Sequence, residues 1–192
     1  MDSREIKIIT VAVIIAVIIA SFVIPYNSLV QLRNEVYGQK AQIENVYQGR
    51  LDKIPDLVKT VKDYAKHEEN VFIAIANARA GLETAIKSGD MTEMEIANEK
   101  LSTALDGLDV VVEAYPELKS DKLYLGLMDE IAGSVNRIDQ ERREYNKKVT
   151  KYNNEIQQFP TVLYAKILGF EPEAYFEASA EAHSTSVVDF GD

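Results

Sequence analysis

Cysteine is absent from this chain, which removes disulfides, thiolate nucleophiles and cysteine-ligated zinc or iron–sulfur centres from consideration. Tryptophan is absent too, and histidine occurs twice, as His67 and His183, so acid–base chemistry near neutral pH and imidazole metal sites have little to work with. Five prolines and nine glycines in 192 residues, set against plentiful Ala, Glu, Lys, Leu and Ile, favour long helices over many short strands. Positive charge is the minority sign: 21 Lys and Arg against 31 Asp and Glu give a formal net charge of -10, which repels a phosphate backbone unless a local basic patch overcomes it. The densest cationic cluster, Arg142, Arg143, Lys147, Lys148 and Lys151, is interleaved with Glu141 and Glu144. It reads as paired helix surface, and no nucleic-acid partner is expected.

One uncharged stretch dominates what is present. Residues 8–24, "IITVAVIIAVIIASFVI", approach the ~20 residues that a bilayer-spanning helix needs once Ile6 and Lys7 are added. A cleaved signal would have a shorter apolar core, of ~7 to 15 residues, and a small-x-small cleavage site; here Ser21, Phe22 and Pro25 follow without one. The expectation is an uncleaved single-pass anchor in the cell membrane, contacting lipid through residues 8–24. Arg4 and Lys7 precede the run and Arg33 and Lys40 follow it, so the distribution of positive charge leaves the side of the membrane that holds the rest of the chain open.

Beyond Tyr26 the apolar residues recur at helical steps. Leu29, Val36 and Ile43 fall seven apart, with Leu32 and Val46 on the same face, a coiled-coil type of spacing. Pro55 predicts a kink there, or a restart capped by Asp52, before Leu57, Val58, Val61 and Ala65 resume the stripe. Phe72, Ile75, Ala76, Arg79, Leu82 and Ile86 line the next helix, which ends at Gly89 in the left-handed conformation. Asp90 with Glu93, or Thr92 with Glu95, then forms a capping box. The following face reads Ala97, Leu101, Ala104, Leu108, Val111 and Tyr115 and stops at a non-helical Pro116. Ser120 or Asp121 caps a last long helix with Leu127, Ile131, Ser134 or Val135, Ile138, Arg142, Tyr145, Val149, Tyr152, Ile156 and Phe159 on one face, ended by Pro160. The fold class is therefore all-α: an N-terminal transmembrane helix followed by a long antiparallel helical bundle. The expected organisation is a tail and anchor over residues 1–25, a bundle over 26–160, and over 161–192 a short apolar segment followed by a flexible acidic tail. The apolar cluster Val162, Leu163, Ile167, Leu168 and Phe170 is free to cap the bundle, meet the membrane or meet a partner.

Motifs for chemistry are missing. No G-x-G-x-x-G or G-x-x-x-x-G-K-[ST] loop occurs, so nothing cradles a phosphate. A di-iron bundle needs Glu-x-x-His pairs, whereas Tyr64 and Ala180 stand three before the two histidines. His67 reads as a polar residue at a helix junction. His183 with Ser184 and Asp189 lies in the expected tail, without the rigid scaffold a triad requires. The neighbouring carboxylates Asp52 and Asp56, or Glu68 and Glu69, read as solvated helix face, and Tyr145 and Tyr152 as core. No catalytic residue, cofactor or metal is expected.

Several segments are similar to the LemA family. They are "YNSLVQLRNEV" at Tyr26 to Val36, "IPDLVKTVKDYAKHE" at Ile54 to Glu68, "AYPELK" at Ala114 to Lys119, "NRI" at Asn136 to Ile138, "RREYN" at Arg142 to Asn146, "YN" at Tyr152 and Asn153, "FP" at Phe159 and Pro160, and "GFEPEAYF" at Gly169 to Phe176. The resemblance implies a membrane-anchored antiparallel helical bundle and brings no catalytic site with it. "VYQGR", Val46 to Arg50, departs from the family pattern, and Gly49 there costs a helix about 1 kcal/mol relative to alanine, which bears on the continuity of the first helix. The leading expectation is a non-enzymatic scaffold or adaptor of the cell envelope that forms a homo-oligomer. The alternative is a regulatory binding module for an unidentified envelope protein, such as a membrane protease or transporter, with the corner Tyr115, Pro116, Glu117, Leu118 and Lys119 or the acidic tail as contact.

Overall fold

The computed structural model describes residues 3–176; the candidates His183, Ser184 and Asp189 and most of the acidic tail lie outside the described residues. Among the described residues six helices follow in order: α1 (Ser3–Tyr64), α2 (Glu69–Ser88), α3 (Met91–Ala114), α4 (Pro116–Lys119), α5 (Lys122–Gln157) and α6 (Val162–Ala165). No strand occurs among the described residues, so the all-α class holds. The chain forms two compact units, one from Met1–Lys40 with Glu144–Tyr175 and the other from Ala41–Arg143 with Phe176.

In the second unit, four helical segments alternate in direction. The Lys62 ammonium lies 4.9 Å from the centre of the Phe72 ring and Arg79 reaches Leu51, so α2 runs antiparallel to α1. Tyr47 meets Glu95 and Arg50 meets Asn98, which sets α3 parallel to α1. Lys53 with Glu130 and Tyr64 with Asp121 bring α5 back the other way. This up-down-up-down order is the simplest way for amphipathic helices joined by short turns to share one core. Ile54, Leu57, Val61, Ile75, Leu82, Met94, Leu101 and Leu108 are each at most 1% exposed and fill it.

The turns follow the local chemistry of the chain, with corrections. Gly89 adopts φ 69° and its amide bonds back to Ala85 and Ile86, the left-handed helix end that a residue without Cβ allows. Asp90 caps α3 by accepting from the Thr92 and Glu93 amides. The return arm of the expected capping box is replaced by Ser88, whose hydroxyl accepts from the Asp90 amide and donates to Glu93. Asp121 caps α5 through the Leu123 and Tyr124 amides. Pro116 is helical, contrary to expectation: it is the first residue of α4, where a missing amide costs nothing, and the break falls on Tyr115 at φ -126°, ψ 81°.

Of the kink or restart expected at Pro55, the restart is corrected, since α1 is one helix from Ser3 to Tyr64. Proline removes the amide that would bond to the carbonyl four residues earlier, here that of Leu51. Arg79 of α2 donates its Nε to that carbonyl at 3.4 Å, so the orphaned acceptor is satisfied from outside the helix. Asp52 makes no cap; it accepts from Gln48 on the helix surface. Gly49 lies within the helix in open space and does not interrupt it.

In the first unit, Leu29, Leu32 and Val36 of α1 are buried with Tyr145, Val149, Tyr152 and Ile156 of α5. Lys148 donates to Gln39 at 2.9 Å, and Lys151 lies 3.8 Å from Glu35. Within the expected cationic cluster, Lys147 pairs along α5 with Glu144, while Lys148 and Lys151 reach α1 instead. Phe159, placed by spacing on the buried face, is 79% exposed, because α5 ends at Gln157 and the 3.6-residue period ends with it. Toward the N-terminus, α1 carries one run long and apolar enough to cross a membrane, none of it buried.

Pro55 is exposed, so Pro55→Ala removes little packing while restoring an amide to Leu51. A stability gain of roughly 1–3 kcal/mol is expected. In that background Arg79→Met costs less than in the parent chain, because the carbonyl no longer depends on the guanidinium. A denaturant double-mutant cycle with no coupling between the two sites would refute the compensation.

Candidate interaction sites

The corner assigned by sequence, Tyr115 to Lys119, is a rigid turn in the second unit. Leu118 is fully buried, and the amides of Leu118 and Asp121 bond back to the carbonyls of Tyr115 and Leu118 at 3.0 Å each. Tyr115 is half-buried and its hydroxyl stands 3.5 Å from Glu68. Pro116, Glu117 and Lys119 face solvent. The corner thus offers a proline face flanked by one anion and one cation, and its apolar residue is spent on the core.

A polar layer through the second unit was not anticipated. Tyr47 donates to Glu95 Oε2 at 3.1 Å, and Arg142 Nη1 donates to Glu95 Oε1 at 2.7 Å, with the Arg142 and Glu95 side chains 15% and 11% exposed. The Arg142 guanidinium also stacks over the Phe176 ring, 4.2 Å from its centre. One turn away, Arg50 is 3% exposed; it bonds through Nη1 to Asn98 and through Nη2 to Ser102 at 3.0 Å. Burial, and secondarily the Glu95 carboxylate, pushes the Tyr47 phenol far above its ordinary value. Burial pulls the Arg50 guanidinium down. Such a layer demands matched partners, since a buried charge left alone is costly. Its signal in the sequence is Arg50 seven residues after Ile43, on the stripe that Leu29, Val36 and Ile43 define.

The beginning of the supposed flexible tail is held down, which corrects the expectation for residues 171–176. In the first unit, Asn153 grips one residue twice: its Nδ2 donates to the Glu173 carbonyl and its Oδ1 accepts from the Glu173 amide, both at 2.9 Å. Tyr152 donates to the Glu171 carbonyl at 2.9 Å and Tyr145 to that of Ala174 at 3.1 Å. These side chains stand in for the strand neighbour that an extended backbone otherwise lacks. Burial, then the nearby Glu173 carboxylate, raises the Tyr145 phenol to about 12. Tyr145 and Tyr152 are core residues, as expected, and also clamps.

His67 sits exposed in the turn between α1 and α2. No group of three His, Asp or Glu side chains converges on a metal-sized space among the described residues. Among the described residues of the second unit, one open groove is lined by Lys62, Lys66, Glu69, Phe72 and Ile73 and another by Ala78, Gly81, Glu93, Ile96 and Lys100. Each sets one carboxylate beside lysine, the mixed charge of an ordinary helix surface.

A LemA family model matches residues 39–190. Among similar proteins, magnetosome proteins MamQ 2 and MamQ 1 of Paramagnetospirillum magneticum are each 26% identical over 182 residues, covering 83% of this chain and 67% of the relative. Protein LemA of Metamycoplasma hominis is 26% identical over 153 residues, covering 80% of this chain and 69% of that protein. None of these names states a reaction.

Glu95→Ala takes the nearer carboxylate from Arg142, which keeps Asp139 at 3.5 Å, and the acceptor from the Tyr47 hydroxyl; it is expected to cost about 3 kcal/mol, against about 1 kcal/mol for Tyr47→Phe. The folded state holds the Tyr47 proton that the unfolded chain releases above pH ~10. Stability is therefore level below that pH and falls as pH rises above it, less steeply in Tyr47→Phe; equal alkaline slopes would remove Tyr47 from the account. For the clamp, Asn153→Leu is expected to raise glutamyl-endoprotease cleavage after Glu173 roughly tenfold, as for the loss of two hydrogen bonds. An unchanged rate would mean that this segment is held by other contacts.

Proposed function

Because the chain belongs to the LemA family, we propose that it is a membrane-anchored helical scaffold or adaptor of the cell envelope, one that assembles with copies of itself and carries out no reaction. The observation that carries this reading is α1. Its apolar run exposes Ile8, Ile9, Val11, Val13, Ile14, Ile15 and Ile19 by 51–69%, an arrangement stable only in an apolar medium. The hydroxyl of Thr10 bonds back to the Ile6 carbonyl, as a polar side chain in hydrocarbon must. The same helix continues into the core stripes of both units with no loop between.

Tethering confines copies to two dimensions and raises their effective concentration, so weak contacts between helical faces add up. Ile73, Ile96 and Val110, 56%, 46% and 71% exposed, are apolar points available for such contacts. Bundles aligned side by side in this way would organise the membrane beneath them. Relatives named for the magnetosome, and none named for a reaction, support a structural role. The adaptor reading draws on the corner instead, where buried Leu118 fixes exposed Pro116, Glu117 and Lys119 as a preformed surface.

The native chain has no cysteine, so single substitutions report cleanly. Val110→Cys and Ile96→Cys in the full-length chain are expected to cross-link to themselves in native membranes. Light scattering in nanodiscs is expected to give a mass above one chain per disc. A strict monomer without cross-links would sink the self-assembly reading and move the weight to an adaptor that uses the corner.

A further inference from the structure

Between the end of α5 and the clamped segment, the first unit presents a second apolar surface. Thr161, Tyr164, Ala165 and Phe170 are 3–7% exposed and face inward. Their neighbours in sequence face outward: Phe159, Val162, Leu163, Ile167 and Leu168 are 79%, 45%, 63%, 83% and 42% exposed. Five large apolar side chains within ten residues form a patch of the kind that soluble monomers rarely leave in water.

Where this patch sits decides what covers it. The Tyr164 ring packs on Phe22 with centroids 5.4 Å apart, and Phe170 meets Tyr26 edge-on at 5.7 Å beneath the Arg33 guanidinium, 5.0 Å from its centre. Phe22 stands two residues before the end of the apolar run, about 3 Å along the helix axis. The run itself is ~26 Å long, slightly less than the ~30 Å of a hydrocarbon core, so its last turn lies at the boundary. A segment in contact with Phe22 cannot then be far from lipid. Its composition suits that depth: aromatic rings collect at the membrane–water boundary, and Lys166 supplies an exposed cation among the apolar side chains.

We propose that residues 159–168 form a second membrane contact, an interfacial element whose Phe159, Leu163 and Ile167 enter the headgroup and upper acyl region beside α1. This rests on the reading that residues 8–24 span the bilayer. The bilayer then holds the chain at two points of sequence more than a hundred residues apart. Tyr164 and Phe170 serve as the inward pegs that fix the outward ones.

The absence of tryptophan makes each introduced indole a lone reporter. Leu163→Trp, Ile167→Trp, Ile14→Trp and Val110→Trp all substitute exposed side chains and leave the core intact. Each full-length variant is reconstituted in phosphatidylcholine–phosphatidylglycerol vesicles whose acyl chains are brominated near the headgroup or near the bilayer centre. Positions 163 and 167 are expected to lose about half their emission to the shallow bromines, as side chains ~5–10 Å into the boundary should. Position 14 should respond to the deep bromines and position 110 to neither. Emission from 163 and 167 that matches position 110 while position 14 is quenched overturns the interfacial contact and leaves the spanning helix standing. An unquenched position 14 overturns both. Protection of 163 and 167 from lipid bromines and from aqueous acrylamide alike would show a second copy covering the patch, and would also overturn the proposal.

Discussion

A proline inside a helix forfeits the hydrogen bond to the carbonyl four residues before it, and α1 contains two, Pro25 and Pro55. Everything else in the chain depends on this helix staying whole, because the apolar run, the stripe of Leu29, Leu32 and Val36, and the stripe of Ile54, Leu57 and Val61 are successive parts of it. At Pro55 the forfeited bond is replaced by Arg79 from α2. An arginine suits this work: its Nε reaches the Leu51 carbonyl while Nη1 stays 3.6 Å from Glu83 on its own helix. At Pro55 the helix thus draws one hydrogen bond from its neighbour, so the packing of α2 on α1 supports α1 as a single element. A break at Pro55 would instead have placed a joint inside the second unit.

The polar layer of Tyr47, Glu95 and Arg142, with Arg50, Asn98 and Ser102 beside it, imposes a different constraint. Leucine-rich faces pack acceptably in several registers, because one aliphatic side chain replaces another at modest cost. A charged layer does not. A one-turn slide of α3 that brought Met91 and Met94 to the places of Glu95 and Asn98 would take the nearest partners from Arg142 and Arg50 in a largely buried layer. The layer therefore selects one alignment of α1, α3 and α5 from those that the stripes alone allow. The clamp built from Tyr145, Tyr152 and Asn153 extends the same logic to residues with no helical period, since their backbone groups have to find partners one by one.

Helix positions and caps were legible because each depends on residues close in sequence. Gly89, Asp90 and Asp121 did what their local chemistry dictates, and the apolar run announced itself by length. What stayed hidden required partners far along the chain. Arg142 stood on the correct face of α5, but nothing near it in sequence names Glu95, 47 residues away. Periodicity also has no end marker of its own, which is why Phe159 continued a stripe whose helix had already stopped. Pro116 was read as a stop when its fixed φ suits the start of α4. The segment "GFEPEAYF" has neither period nor cap, so its ordered state could be seen only once the Asn153 side chain was placed against Glu173.

Perturbed ionisation often marks a reactive site, and this chain has several raised phenols, so their causes matter. For Tyr47, Tyr145 and Tyr152 the leading cause is burial, and each hydroxyl is committed as donor to a protein oxygen: Glu95, the Ala174 carbonyl and the Glu171 carbonyl. Tyr64 is raised first by its bond to Asp121, the same carboxylate that caps α5. A phenol used as an acid or nucleophile needs its proton poised near working pH and its oxygen open to a substrate. These phenols have the opposite arrangement, with protons held more tightly than in water and directed at backbone or at a carboxylate. Their altered chemistry is a consequence of fastening helices and an extended segment together.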